Sequence, residues 1–186
     1  MYKDKELTIR PIKEKDLYKV WELVFKEDAP EWKKWDAPYY PHTSKTYEEF
    51  SQTSDSWVDQ PDLWAIESNE HFIGVVTCYW EHEPSRWLEM GIILYESNNW
   101  GKGIGTRALS MWTDHLFNTL PLVRVGLTTW SGNERMIRVG EKLGMKMEAR
   151  VRKVRLYNDH YYDSIKMGLL REEWNDTPYM PKEQEN

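Results

Sequence analysis

The chain has 186 residues, 40% of them hydrophobic, and a formal net charge of −6 at pH 7. This is the length of one domain with a sizeable core, which we expect over residues 1–174 with a tail over 175–186. The acidic balance argues against a nucleic-acid partner and favours a cationic one. The single cysteine argues against a disulfide-bonded secreted class. The lack of a signal-peptide pattern or a long apolar run then predicts a cytoplasmic protein with no membrane partner.

The apolar pattern predicts secondary structure in chain order. It indicates a first strand over 7–12, a helix from Glu14 onward and a weaker helix over 46–60. Between these helices, Pro30–His42 carries three prolines and four aromatic residues, which is typical of a structured loop. The remaining predicted elements are strands over 63–68, 72–80 and 86–95, a helix over 104–119, a strand over 122–130, a helix over 133–144, and strands over 145–157 and 161–170.

The order of these elements indicates an α/β (α+β) fold. Hairpins on both sides of the chain's middle predict antiparallel pairing, whereas the strand, helix and strand between residues 86 and 130 predict a right-handed crossover and one parallel pair. We therefore expect a mixed, mostly antiparallel sheet of about seven strands, with helices on both of its faces.

Three glycines, Gly101, Gly103 and Gly105, alternate with other residues between the fourth predicted strand and the helix over 104–119. Backbone N–H groups at such a turn, next to a helix N-terminus, can hold a pyrophosphate. The stretch lacks the Gly-Lys-Ser/Thr ending of a Walker A loop and differs from the G-x-G-x-x-G of a dinucleotide fold, which argues against nucleotide phosphotransfer. A tight turn without a ligand is the alternative.

Three motifs in order resemble the GNAT superfamily of acyl-CoA-dependent N-acetyltransferases, and within it the enzymes that acetylate ribosomal-protein N-termini. Trp100–Gly105 is similar to the superfamily signature, which reads Gln or Arg, any two residues, Gly, any residue, then Gly or Ala, although Trp replaces Gln or Arg. "SGNERMIRVGEKLGMK" and "YNDHYYDSIKMGLLREEW" are similar to the subgroup's Asn-containing helix and closing strand. The resemblance covers residues 6–174. It implies the GNAT fold with its fourth and fifth strands splayed, acetyl-CoA as cofactor, and transfer to a primary amine in a ternary complex.

The resemblance also implies where the cofactor binds. Backbone groups near Ile92 and Leu94 would pair with the pantetheine arm, and Asn133 would hold that arm from the other side of the splay. For Asn133 a helix N-cap is an additional role, since asparagine is favoured there. The pyrophosphate would lie against Trp100, Gly101, Lys102, Gly103, Ile104, Gly105 and Thr106, although Lys102 is equally consistent with a solvated surface position.

Acetyl transfer requires a base, because an alkylamine with a pKa of ~10.4 is mostly charged at neutral pH. Glu89 is the candidate, since it lies in a strand with few other charges, and burial raises the pKa of a carboxyl group toward the range of a general base. A salt-bridged or edge-facing glutamate is the alternative. The family's usual proton donors to the thiolate are replaced by Gly140 and Met136 here. This leaves Tyr161, its neighbour Tyr162, or solvent as the donor.

Two other chemistries are disfavoured by the sequence. Cys78 lies in the middle of a strand with no histidine nearby, so we expect a buried small residue rather than an acyl-cysteine. The five histidines are scattered and form no H-E-x-x-H pattern, so no metal site is predicted.

The acceptor is predicted to bind beside the loop Pro30–His42, where this family places one wall of its acceptor cleft. Aromatic rings and carboxylates suit an alkylammonium group, although a loop that only caps the core fits the same residues. The candidate residues are Glu31, Trp32, Trp35, Asp36 and Tyr39. The acceptor's identity stays open between a small amine and a peptide, and exposed aromatics are compatible with a homodimer. Because the usual acid residues are missing, a catalytically weak coenzyme A-binding sensor or partner-binding module is the alternative function.

Overall fold

The computed structural model describes residues 1–176, and eight strands there form one sheet in the order β1-β2-β3-β4-β5-β6-β8-β7. Neighbouring strands are antiparallel except β5 and β6, which are parallel. The predicted mixed, mostly antiparallel sheet is confirmed. One strand more is present than expected, because the three residues of β1 are too few to show an alternation. The strands are β1 Tyr2–Asp4, β2 Leu7–Pro11, β3 Leu63–Ser68, β4 His71–His82, β5 Trp87–Leu94, β6 Arg124–Trp130, β7 Lys146–Tyr157 and β8 His160–Leu170.

Helices cover both faces of the sheet, as predicted. The helices are α1 Leu17–Val24, α2 Tyr47–Ser51, α3 Ile104–Thr119, α4 Glu134–Lys142 and α5 Arg171–Asp176. One core cluster joins the sheet to α3 and α4, and a second joins it to α1, α2 and the loop around Trp32. No helix among residues 1–176 combines the length and the apolar content needed to cross a bilayer.

Strand β5 divides its side chains between the two faces of the sheet. Leu88 and Met90 are buried in the core on the α3 side. Because successive side chains of a strand alternate, Glu89, Gly91 and Ile93 face the opposite side, and Ile93 packs on the α1 core. This alternation decides which side of the sheet a charged residue of β5 can reach.

The parallel pair of β5 and β6 is short. The two strands pair only through Trp87 with Arg124, Leu88 with Val125 and Glu89 with Gly126. After these residues both strands continue but no longer pair, so a gap opens between them. This gap corresponds to the splay expected between the fourth and fifth predicted strands, which are β5 and β6 of the structure.

The end of the described chain differs from the prediction of a tail starting at residue 175. Residues 171–176 form α5, the Trp174 side chain is 6% exposed, and its indole N–H donates to Asp114 Oδ1 at 2.8 Å. The Glu173 carboxylate accepts from the Leu170 N–H at 3.0 Å, which links the end of β8 to the helix. The rest of the predicted tail, 177–186, lies outside the described residues.

Candidate active site

A cavity of about 520 Å³ occupies the gap between β5 and β6 and passes from one face of the sheet to the other. Its lining comes from six segments: the loop after α1, β4 through Thr77, β5, the glycine turn with the first turn of α3, β6, and α4 with its N-cap. The loop after α1 meets the other segments at Trp35, whose ring lies 6.3 Å from the Trp100 ring of the glycine turn and whose carbonyl accepts from Asn133 at the start of α4. The cavity therefore joins the sequence regions that we expected to bind cofactor and acceptor.

The glycine turn presents free backbone amides at the N-terminus of α3. Gly101 and Gly103 have φ values of 75° and 78°, a left-handed conformation that costs other residues about 1–2 kcal/mol. The N–H groups from Gly101 to Thr106 donate to no other described residue. Free N–H groups at the N-terminus of a long helix can bind an anion, which is the chemistry that a pyrophosphate contact requires.

Trp100 replaces the Gln or Arg of the signature and has a structural role. Its indole N–H donates to the Leu94 carbonyl at 2.9 Å, which fastens the glycine turn to the end of β5. The side chain of Ile104 is buried in the core, so only its backbone is available to a ligand. Lys102 is exposed and lies outside the lining of the cavity, which favours the solvated position.

The backbone of β5 is open toward the gap. The Tyr95 N–H donates to the Ile73 carbonyl at 3.0 Å. Since antiparallel strands alternate bonded and non-bonded pairs, the N–H and C=O groups of Ile92 and Leu94 point away from β4 and into the gap. Trp100 already occupies the Leu94 carbonyl. The Ile92 peptide groups and the Leu94 N–H thus stay available to an extended ligand.

Asn133 is the N-cap of α4, as one of its two predicted roles required. Its Oδ1 accepts from the Met136 N–H at 3.1 Å, and its Nδ2 donates to the Trp35 carbonyl at 3.0 Å. The Trp130 indole donates to the same carbonyl at 2.9 Å. These bonds fasten the loop after α1 to β6 and α4, and Asn133 still lines the cavity.

Helix α4 has a basic face that was not predicted from the sequence. Arg135, Arg138 and Lys142 line the cavity, and the Arg135 guanidinium lies 4.3 Å from the Trp35 ring and 4.9 Å from the Trp100 ring. Spacings of three and seven residues place these cations on one face of a helix, which was a readable signal. Together with the free amides of the glycine turn, they make this end of the cavity suitable for phosphates.

The loop after α1 supplies a further wall of the cavity. Trp32, Trp35, Asp36 and Tyr39 line it, but Glu31 is exposed and lies outside, because it points away at the start of the turn Glu31–Lys34. The Asp36 side chain is 47% exposed because it faces the cavity. The surrounding protein nevertheless desolvates the Asp36 carboxyl group and raises its pKa above the usual range.

Glu89 is 2% exposed and does not line the cavity. Its Oε2 accepts from Thr128 Oγ1 at 2.5 Å and from the Tyr79 hydroxyl at 3.3 Å. Lys166 Nζ lies 3.4 Å from its Oε1. Thr128 therefore stands between the Glu89 carboxylate and the cavity, and the ion pair of the salt-bridged alternative is present.

Tyr161 is 63% exposed and lies outside the cavity, because it sits at the hairpin end of β8, paired with Leu156 of β7. Its neighbour Tyr162 packs edge-on against Trp130 at 4.7 Å. A side chain at Gly140 would begin 2.8 Å from Met167 Sδ, so close packing of α4 on β8 explains the glycine there. None of these three residues lines the cavity, so the structure supports none of them as the proton donor.

The cysteine and the potential metal ligands also bear on the chemistry. Burial raises the pKa of the Cys78 thiol to about 12, so it stays protonated at neutral pH. Residues 1–176 bring together no three His, Cys, Asp or Glu side chains in an arrangement that could hold a metal ion.

Comparison with known proteins places this site in a family. A family model described as the acetyltransferase (GNAT) domain matches residues 6–146. YdaF of Bacillus subtilis, named as a candidate ribosomal N-acetyltransferase, is 27% identical over 176 residues, covering 92% of this chain and 94% of YdaF. Spermidine N(1)-acetyltransferase of Escherichia coli K12 is 26% identical over 169 residues, covering 89% of this chain and 87% of that enzyme.

A solved structure extends the comparison. The crystal structure of spermidine N-acetyltransferase from Vibrio cholerae in complex with CoA and spermine superposes with a TM-score of 0.75 at 18% identity, covering 92% of this chain and 99% of that one. That likeness shows a shared fold. The family match spans most of the chain and includes the glycine turn, β5, β6 and α4. The chain belongs to the GNAT family of acetyltransferases.

Proposed function

We propose that this acetyltransferase moves the acetyl group of acetyl-CoA to a primary amine on a small molecule or peptide, with both substrates held together in the cavity. The observation that carries the proposal is the polarity of the cavity. Free backbone amides with Arg138 and Lys142 line its α3 end, and Asp36 with Tyr39 and Trp130 lines its loop end. The two ends meet where Arg135 stacks on Trp35 and Trp100. A cavity of this kind suits an anionic cofactor on one side and a cationic acceptor on the other.

The residues at the α3 end fit coenzyme A. The free N–H groups from Gly101 to Thr106 would hold the pyrophosphate, and Arg138 and Lys142 would add charge to that grip. The Ile92 peptide groups and the Leu94 N–H would pair with the pantetheine arm as a neighbouring strand does. When bound, acetyl-CoA supplies an activated acetyl thioester.

The residues at the loop end fit an alkylammonium group. Asp36 offers a carboxylate, and the rings of Trp35, Tyr39 and Trp130 surround the same part of the cavity. Aromatic faces attract cations by about 0.5–2 kcal/mol each, more when water is excluded. The Escherichia coli relative is named a spermidine acetyltransferase, which supports an amine as the acceptor here.

A direct transfer fits these residues better than an acyl-enzyme. The Cys78 thiol, with its pKa raised to about 12, is a poor nucleophile at neutral pH because the thiolate is the reactive form. The acceptor amine must then lose its proton and attack the thioester itself, which explains why both ligands need to occupy one continuous cavity.

The decisive experiment is an amine screen with acetyl-CoA that follows free thiol and confirms the acetylated product by mass. The panel contains a peptide with a free N-terminus, spermidine, an arylalkylamine and an amino acid. We expect thiol release above the hydrolysis rate with at least one amine. Tight coenzyme A binding without thiol release for any amine would instead indicate the coenzyme A-binding module, which the lack of a proton donor at Met136 and Gly140 favours. No coenzyme A binding would contradict both.

The glycine turn yields a matched test. Gly103→Ala and Gly144→Ala each place a side chain at a left-handed position, φ 78° and 81°, with no atom within 4 Å of the new Cβ. Both should cost a similar ~1–2 kcal/mol of stability. Only Gly103→Ala should weaken coenzyme A binding, by about tenfold, because relaxation of the turn redirects its N–H groups. Calorimetry of both variants checks this, and equal affinities would remove the turn from the binding site.

A further inference from the structure

The buried carboxylate of Glu89 is separated from the cavity by one side chain. Thr128 donates to Glu89 Oε2 and also lines the cavity, whereas Glu89 does not. The Thr128 side chain is exposed although its partner is buried. A hydroxyl can accept one proton while it donates its own. Thr128 can therefore connect a ligand in the cavity with the buried carboxylate of Glu89.

The sheet explains why Thr128 occupies this point. Pairing of β5 and β6 ends at Glu89 and Gly126, and Thr128 is the next residue of β6 on the same face. It therefore stands at the closed end of the gap. Trp130, two residues farther, packs 6.1 Å from Tyr39 on the acceptor side of the cavity.

We propose that Thr128 is a catalytic residue that relays the acceptor's proton to Glu89. The inference deepens the proposed function and rests on it. In one concerted step the ammonium proton passes to Thr128 Oγ1 while the Thr128 hydroxyl proton passes to Glu89 Oε2. The products are a neutral amine, an intact threonine and a protonated Glu89, so no threonine oxyanion forms.

The groups around Glu89 suit a transient proton acceptor. Burial and the neighbouring Glu89 raise the pKa of Tyr79 to about 12, so its hydroxyl keeps donating to the carboxylate. Lys166 is also bonded to Glu81 at 3.1 Å, and its carboxylate partners help to raise its pKa, which keeps Lys166 positively charged.

The proton has a route away from the cavity. Tyr79, whose hydroxyl donates to Glu89 Oε2, is 54% exposed. On β6, Arg124 lies opposite Trp87 and stacks on its ring at 5.3 Å. A protonated Glu89 can thus return its proton to water without passing the bound substrates.

The test compares Thr128→Val, Thr128→Ser, Glu89→Gln and the Thr128→Val/Glu89→Gln double variant with an amine that the wild type acetylates. Valine keeps the shape of threonine without its hydroxyl, and serine keeps the hydroxyl. Rates of thiol release are measured from pH 6 to beyond the amine's pKa. Coenzyme A affinity and thermal unfolding of each variant show whether the fold and the cofactor site are intact.

A relay predicts that Thr128→Val lowers kcat about 10²-fold near pH 7, with recovery as the amine becomes neutral in solution. Serine should restore most of the activity and the wild-type pH profile. The double variant should be no slower than the slower single variant, because both changes interrupt one path. Additive losses, or a uniform loss at every pH, would overturn the relay while leaving acetyl transfer intact. A wild type inactive with every amine would overturn the proposed function itself.

Discussion

Replacing Glu89 with glutamine is expected to lower kcat/KM at pH 7 by about 10²–10⁴-fold, the usual contribution of a general base. Glutamine fits the same space but cannot take up the proton that Thr128 passes on. Above the amine's own pKa of ~10.4 the base is no longer needed, so the deficit should shrink as the pH rises. Rates measured from pH 6 to 11 check this.

The matched control for this variant is Glu81→Gln. Glu81 also pairs with Lys166 but is exposed and makes no contact with Thr128, so it removes the same charge and one Lys166 partner without touching the proton path. Its pH profile should match that of the wild type. If Glu89→Gln keeps the wild-type profile, Glu89 has only a structural role as the partner of Lys166.

Replacing Asp36 with asparagine should weaken binding of the amine by about 10- to 100-fold. A hydrogen bond to a charged group contributes about 1.5–3 kcal/mol, and 1.4 kcal/mol corresponds to tenfold. The proposed coenzyme A site uses the amides of the glycine turn and the cations of α4 and not the Asp36 side chain, so coenzyme A affinity should not change. Calorimetry of the amine in the presence of coenzyme A separates binding from the protonation chemistry at Glu89.

The pH dependence of this binding has a definite sign. Burial raises the Asp36 pKa, so its carboxylate becomes protonated at a higher pH than an exposed aspartate would. Wild-type amine affinity should therefore fall as the pH is lowered through this raised pKa, starting above the ordinary carboxyl range, while the amine itself stays fully charged. Asp36→Asn should abolish this fall in affinity at low pH. Glu31→Gln, in the same loop but outside the cavity, is the control and should retain it. If the fall persists in Asp36→Asn, another group is responsible for it.

Elements with a strong local pattern were predictable from the sequence. The helix over 104–119 has the predicted bounds, because apolar residues recur at helical spacing just after a glycine that takes a left-handed conformation. The strand over 63–68 also has the predicted bounds. The glycine turn was readable for the same reason, since the conformation of Gly101 and Gly103 is a local property.

Whether a side chain lies in the core, in the cavity lining or on the surface depends on its position in the fold, which its residue type alone does not show. Trp174 directly precedes the predicted tail and no local pattern indicates its burial, which is accompanied by a hydrogen bond to Asp114, 60 residues earlier. Tyr161 and Glu31 were chosen for their chemistry, and both proved exposed and outside the cavity. Arg135 was missed because its partners, the rings of Trp35 and Trp100, come from separate segments of the chain.

Residue types and their spacing were sufficient to specify the sheet class, the family and the glycine turn, since these depend on local patterns and on the order of those patterns along the chain. The proton path was decided by tertiary structure. Glu89 meets Thr128, 39 residues away, and Lys166, 77 residues away, only because β5, β6 and β8 are neighbours in the sheet. Alternation along a strand shows that two residues share a face, but pairing between distant strands determines which side chains meet there and which of them reaches the cavity.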